Sequence, residues 1–155
     1  MLKTLIRQIS LSDFETINVI AKQEHDLHVA LRPDLYRIAD PVMSRYDYEK
    51  TLEEGIGFVV EENQEVIGYI IGFVIDNENP LLVPGRVLVI SALAVDQTQQ
   101  KKGYGKLLTE SLIKVGKNHG CDRVELQVVA VNENAVDFYK HLGFEAKTEI
   151  MQRKI

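Results

Sequence analysis

Two rhythms of apolar residues alternate along this chain, and they predict a run of helices and strands in a definite order. Residues 3–9 alternate weakly around Leu5, Arg7 and Ile9 and predict a strand. Ser12 and Glu15 then form the S-x-x-E signature of a capping box, which predicts a helix carrying Leu11, Phe14, Ile17, Ile20 and Ala21 on one stripe. The stripe fades in AKQEHDLHVALRPDLYRIADP, a polar and aromatic stretch punctuated by Pro33 and Pro41, before a short helix over Arg45–Glu54. Two strands follow at 57–62 and 65–76, separated only by Asn63 and Gln64, a spacing that demands an antiparallel hairpin. Pro80, Pro84 and Gly85 break the chain before the apolar strand 87–95. From Gly103 a helix carries Tyr104, Leu107, Leu108, Leu112 and Val115, with Lys117 and His119 in its last turn and Gly120 available for a left-handed cap. A strand over 122–130, a helix over 134–143 and a last strand within 144–154 complete the pattern.

The predicted order is β-α-α-β-β-β-α-β-α-β. An antiparallel meander leads into a strand–helix–strand unit whose crossover helix makes strands 87–95 and 122–130 parallel. The fold class is therefore α/β with a mixed sheet, not a doubly wound one. At 155 residues the chain is read as a single domain, 1–155, of ordinary soluble composition. A formal net charge of −5 disfavours a general nucleic-acid binder and suits a cationic or neutral partner, or simply solubility. With one cysteine, Cys121, no intramolecular disulfide is possible, which fits a reducing compartment; at a strand start it reads as a packed side chain. Arg7 and Gln8 interrupt the apolar run that a signal peptide needs, and VLVISALAV (87–95) is far short of the ~20 residues of a membrane helix. A cytoplasmic protein with no membrane or nucleic-acid partner, monomer or homodimer, is expected.

Chemistry concentrates in QQKKGYGKLL, residues 99–108, at a strand-to-helix junction. Glycines that free backbone amides among lysines suit an anion, phosphate above all. A P-loop would need glycine at Gln100 and Ser or Thr at Leu107; a dinucleotide fingerprint would need glycine at Leu108. Both fail residue by residue. What remains is Q-x-x-G-x-G (Gln100, Gly103, Gly105), followed about thirty residues later by N-x-x-A-x-x-x-Y-x-x-x-G-F (Asn132, Ala135, Tyr139, Gly143, Phe144).

These two segments, with the preceding LAVD, resemble the GNAT superfamily of N-acetyltransferases, which move an acetyl group from acetyl-CoA to an amine. The resemblance covers essentially the whole chain, because the order of elements matches as well. It implies acetyl-CoA as co-substrate, with no metal, held between the strands 87–95 and 122–130, which should splay at a bulge near Ala92–Leu93. The backbone of Leu93, Ala94 and Val95 would then pair with the pantetheine arm, a free N–H at Leu93 polarising the thioester. The diphosphate would lie on Gln100, Lys101, Lys102, Gly103, Tyr104, Gly105 and Lys106, where helix amides and dipole favour negative charge. LAV can equally serve as sheet core, since the ligand uses main chain only, and the lysines can be merely solvated.

Acetyl transfer needs a neutral amine, a polarised carbonyl and a proton for the departing thiolate. About one lysine-type amine in a thousand is neutral near pH 7.4, against roughly a fifth of α-amines. The family motif makes Tyr139 the general acid, whereas its spacing with Ala135, Phe138 and Leu142 allows a packing role. Asn132 either hydrogen-bonds the pantetheine arm or caps the helix. No general base declares itself: RVLVISALAV holds no acid, so proton removal through ordered water is the default, with Glu125 on the neighbouring strand a candidate. The acceptor wall is expected in EHDLHVALRPDLYR, with Glu24, His28, Arg32 and Tyr36 as substrate-facing candidates; Glu24, His25, Asp26 and His28 lack the ligand set of a metal centre. Only residues 145–155 follow Phe144, so a long final hairpin is not expected, leaving that side open or completed by a partner chain. A CoA-binding sensor without catalysis is the rival reading.

Overall fold

The strands β1 (Thr4–Gln8), β2 (Ile56–Glu62), β3 (Glu65–Asp76), β4 (Arg86–Val95) and β5 (Arg123–Leu126) form one sheet in chain order. The computed structural model describes residues 3–155. The first four strands are antiparallel neighbours, and β4 and β5 run parallel, as the α3 crossover (Tyr104–Asn118) requires. The β2–β3 hairpin turns through Asn63 and Gln64, both with positive φ, the twist that two-residue hairpins favour.

The sheet is covered on both faces. Helices α1 (Phe14–Leu31) and α2 (Arg45–Glu54) lie on one side, where Phe14, Ile17, Ile20, Ala21 and Tyr48 pack with Val59, Tyr69, Ile71 and Ala94. On the other side Leu108 and Leu112 of α3 pack with Val60, Ile67, Ile70, Leu88 and Ile90. Each such Leu or Ile contributes about 1.5–3 kcal/mol by leaving water. This explains why β3 is apolar at nearly every position: its alternate side chains feed both layers. Helix α4 (Glu133–His141) buries no residue fully and meets α3 through Phe138, whose ring would lie 3.0 Å from a Cβ on Gly105.

Four local expectations are corrected. The first cap is Ser10 with Asp13, not Ser12 with Glu15: the Ser10 N–H donates to Asp13 Oδ2 at 2.8 Å. Asp13 wins because Arg7 of β1 pairs with its carboxylate at 2.8 Å, an anchor Glu15 lacks. The chain makes a 3-10 turn at Leu11–Asp13 and runs straight into α1. That helix then continues to Leu31, through the stretch where the apolar pattern fades, with Lys22 and Asp26 paired at 2.6 Å along its exposed side. Strand β5 ends at Leu126 rather than 130, since β4 and β5 diverge there and residues 127–130 have no ladder partner. Finally, residues 144–154 form no strand. Phe144 turns into the α3-side core, but the residues beyond it are exposed and find no strand edge to join.

Candidate functional site

The parallel ladder of β4 and β5 runs from Val87 opposite Arg123 to Ile90 opposite Leu126 and stops. Strand β4 continues to Val95, held by β3 alone. The β3–β4 register shifts between Ile71 and Gly72, leaving Ser91 as the extra residue, one position before the expected bulge. Ser91 Oγ donates to the Ile71 carbonyl at 3.3 Å. From Ala92 to Val95 one edge of β4 therefore faces no strand, although its polar backbone groups need partners. Leu93 and Val95, two apart, address the same edge.

Beyond β4 the chain presents a row of unused donors. The first bond inside α3 is Leu107 N–H to the Gly103 carbonyl at 3.0 Å, and no backbone N–H from Gln100 to Lys106 donates to another described residue. Lys101 has a φ of 64° and Gly103 one of 89°, so consecutive amides turn toward a common side. Gln100 Nε2 caps the Val95 carbonyl at 3.2 Å, and Lys102 Nζ reaches Gln99 Oε1 at 2.7 Å, leaving Lys101 and Lys106 without a partner among the described residues. The Tyr104 hydroxyl donates to Glu62 Oε1 at 2.6 Å, which anchors the loop to β2 and leaves only the Tyr104 backbone for a ligand. A Cβ on Gly103 would meet nothing within 4 Å, so that side is open. Unbonded amides, a helix dipole and these two lysines fit a diphosphate.

Helix α4 borders the same opening. Asn132 is its cap, Oδ1 accepting from Ala135 N–H at 3.2 Å, with its amide hydrogens still free. Gly143, at φ 90°, closes the helix and lets Phe144 N–H donate to the Tyr139 carbonyl at 3.0 Å. That closure brings Phe144 edge-on to Tyr139, ring centroids 5.5 Å apart, and Phe138 meets the same ring edge-on at 5.1 Å. The Tyr139 ring is thus fixed by packing while its hydroxyl has no protein partner among the described residues. Burial first, then the charge of Glu24, hold this phenol protonated well above its ordinary range.

The acceptor candidates separate into two groups. Glu24 and His28 lie one turn apart on α1, Nε2 to Oε1 4.0 Å, and Tyr36 stacks on His28 at 5.3 Å. His25 is bonded to the Arg37 carbonyl at 2.7 Å, which ties the segment after α1 back onto it. Arg32 instead pairs with Asp34 at 2.6 Å, and Glu125 pairs with Arg123 at 3.1 Å and with Lys147. A cleft of about 230 Å³ opens between Leu27 and Leu31 of α1 and Val131–Asn134 at the start of α4. Sequence reasoning missed Tyr69. It stands on β3 opposite Ala94, 2% exposed, with a hydroxyl that has no partner among the described residues. Its signal was present: a tyrosine in an otherwise aliphatic run, EVIGYIIGFVI, needs somewhere to put an oxygen.

Known proteins match this arrangement. The family model described as Acetyltransferase (GNAT) family matches residues 22–144. An uncharacterised N-acetyltransferase of Methanocaldococcus jannaschii is 36% identical over 85 residues, which is 54% of this chain and 38% of the relative. The chain spans less than two-thirds of the length of the curated relatives it matches. Among solved structures, a mutant of the BH1408 protein of Bacillus halodurans superposes with a TM-score of 0.93 at 27% identity, over 97% of this chain and 99% of that one. An aminoglycoside N-acetyltransferase crystallised with CoA shares the fold, with a TM-score of 0.73 at 17% identity, over 100% of this chain and 96% of that one.

Proposed function

Because this chain belongs to the acetyltransferase (GNAT) family, we propose that it is one catalytic domain, 1–155, which moves an acetyl group from acetyl-CoA to a primary amine by direct attack. The amine is carried by a small molecule or a peptide N-terminus. The observation that carries this reading is the free edge of β4 running into the row of unbonded amides that opens α3. An extended amide-bearing arm suits the former and a diphosphate the latter, in the order in which CoA presents them.

Each residue then has a task. Leu93 and Val95 offer main-chain partners to the arm while Ala94 turns its backbone to Tyr69 of β3, and the Leu93 N–H polarises the acetyl carbonyl as negative charge builds on its oxygen. The amides of Gln100 to Lys106, with the side chains of Lys101 and Lys106, hold the phosphates, and the Asn132 amide reaches the arm from α4. Tyr139 supplies a proton to the departing sulfur: its raised pKa keeps it protonated at any physiological pH, and edge-on contacts with Phe138 and Phe144 hold its ring.

The deciding experiment incubates the purified protein with acetyl-CoA and a panel of amines, reading released thiol. Release that depends on both reactants is expected for at least one amine. Tight CoA binding with no release across polyamines, amino acids, aminoglycosides and peptide N-termini would support a sensor instead.

A further inference from the structure

One charged side chain of α1, Glu24, has none of these tasks. Glu24 lies seven residues after Ile17, four after Ile20 and three after Ala21, all of them buried. It therefore continues the stripe of α1 that faces the sheet, at a position where helical periodicity asks for an apolar side chain. The neighbouring contact is informative: Gln23 donates to Asp96 Oδ2 at 3.0 Å and accepts from Gln97 N–H at 2.8 Å, pinning α1 across the end of β4. Glu24 follows directly on the residue that makes this anchor.

Among the described residues, only His28 comes within ion-pair distance of the carboxylate. On α1 the nearest cation-capable group is His28 at 4.0 Å, which burial itself disfavours charging. The Glu24 charge acts on Tyr69 of β3 and on Tyr139 of α4, where burial first and then Glu24 push both phenols up. Glu133 stands at the cleft mouth, and Asp96 beyond β4 is occupied by Gln23 and Thr98. The side chain keeps 37% exposure, so a small molecule can reach it. Burial alone pushes its pKa up to about 7, with no hydrogen bond acting on it. A structural carboxylate on the same helix behaves differently: Asp26 simply takes Lys22.

We infer that Glu24 is the catalytic base, anchoring the acceptor as its ammonium and taking the proton that must leave before attack. This deepens the acetyl-transfer reading of the same site and rests on it. The three ammonium protons are then accounted for. One passes to Glu24 and on to water; one, shed by nitrogen as the C–N bond forms and the C–S bond breaks, replaces the proton that Tyr139 gives to sulfur; one stays on the amide. Glu24 thereby fills the gap left by a β4 that carries no acid.

Two measurements on Glu24→Gln and wild type test this. With the amine that supports thiol release, the variant should bind CoA with unchanged affinity by calorimetry and turn over roughly 10²-fold or more slowly at pH 7. That deficit should shrink steadily toward pH 10, where the amine is neutral without help. A variant within threefold of wild type at pH 7, or a deficit that stays constant with pH, overturns the base role while leaving acetyl transfer intact. Independently of any turnover, carbon-13 NMR of the side-chain carboxyls should give a Glu24 midpoint near 7 that falls when n-butylammonium is added, since a bound cation favours the carboxylate. A Glu24 that titrates with the exposed glutamates and ignores the cation overturns the proposal.

Discussion

At Gly103 the backbone takes a φ of 89° and a Cβ would meet nothing within 4 Å, whereas at Gly105 a Cβ would lie 3.0 Å from the Phe138 ring. The first glycine allows a left-handed conformation beside open space; the second lets α4 approach α3. Their substitution should therefore fail in different ways. Gly103→Val imposes a left-handed strain of about 1–2 kcal/mol and sets a side chain where an anion must approach the amides, so CoA affinity should fall more than stability. Gly105→Val overpacks a helix contact, with a cost of about 1–3 kcal/mol, so melting should drop by several degrees while the folded fraction binds CoA nearly as before. Calorimetric affinity and thermal melting on the same samples separate the two; identical behaviour would mean one shared role. Tyr139→Phe removes an oxygen without a protein partner among the described residues and keeps a ring in edge-on contact with Phe138 and Phe144. Turnover should fall roughly 10²–10⁴-fold with the melting temperature nearly unchanged. Near wild-type turnover on the true acceptor would return Tyr139 to packing.

Among the elements, those that bury a face on both sides of the sheet were the most legible. The β2–β3 hairpin, β4, α2 and α3 lie within a residue or so of the positions their apolar periods predict, because burial alone selects them. Helix α1 was legible only where its stripe is apolar. Its second half keeps the helical period but places Glu24 and His28 on the inward stripe, and a site reads in sequence as a loss of pattern. The two motifs point to the proposed cofactor side, since glycines and the backbone amides they free leave a signature in sequence. On the proposed acceptor side, the influence of Glu24 on Tyr69 crosses from α1 to β3, a long-range juxtaposition no local spacing encodes. The C-terminal misreading has the opposite cause: residues 144–154 alternate as a strand should, yet alternation specifies a face and not a partner edge. Ile150 and Met151 remain 89% and 90% exposed. Removing residues 146–155 should therefore cost no more than the exposed Lys147–Glu125 pair, about 0–1 kcal/mol, and leave CoA affinity unchanged. A larger loss in a thermal melt would mean that this segment joins the sheet in solution.

Over the whole molecule, charge couples the site to stability with two opposite signs. Asp13 is held below its ordinary range first by its hydrogen bond from Arg7, Asp96 by Thr98 and Gln23, and Asp76 by Arg86. Groups whose folded pKa is depressed add stability above their unfolded pKa of 3.8 and lose it as pH falls further. Glu24 runs the other way. Its folded pKa is raised by burial, so its contribution is complete below the unfolded value of 4.5 and is lost as pH climbs through about 7. His28 partly masks this in wild type: burial lowers its pKa, and that contribution is present above 6.5 and lost as pH falls. The difference between Glu24→Gln and wild type removes the groups common to both and isolates the carboxylate. That difference in melting temperature should be close to zero at pH 4, grow between pH 4.5 and 7, and level off with the variant more stable at pH 8. A removed carboxylate that was serving structure through a salt bridge would produce the reverse sign, the variant losing stability as pH rises. A flat difference would mean that Glu24 is fully hydrated in solution. Under the proposed base role, a carboxylate that works against the fold as pH rises is retained for the cationic acceptor it would bind.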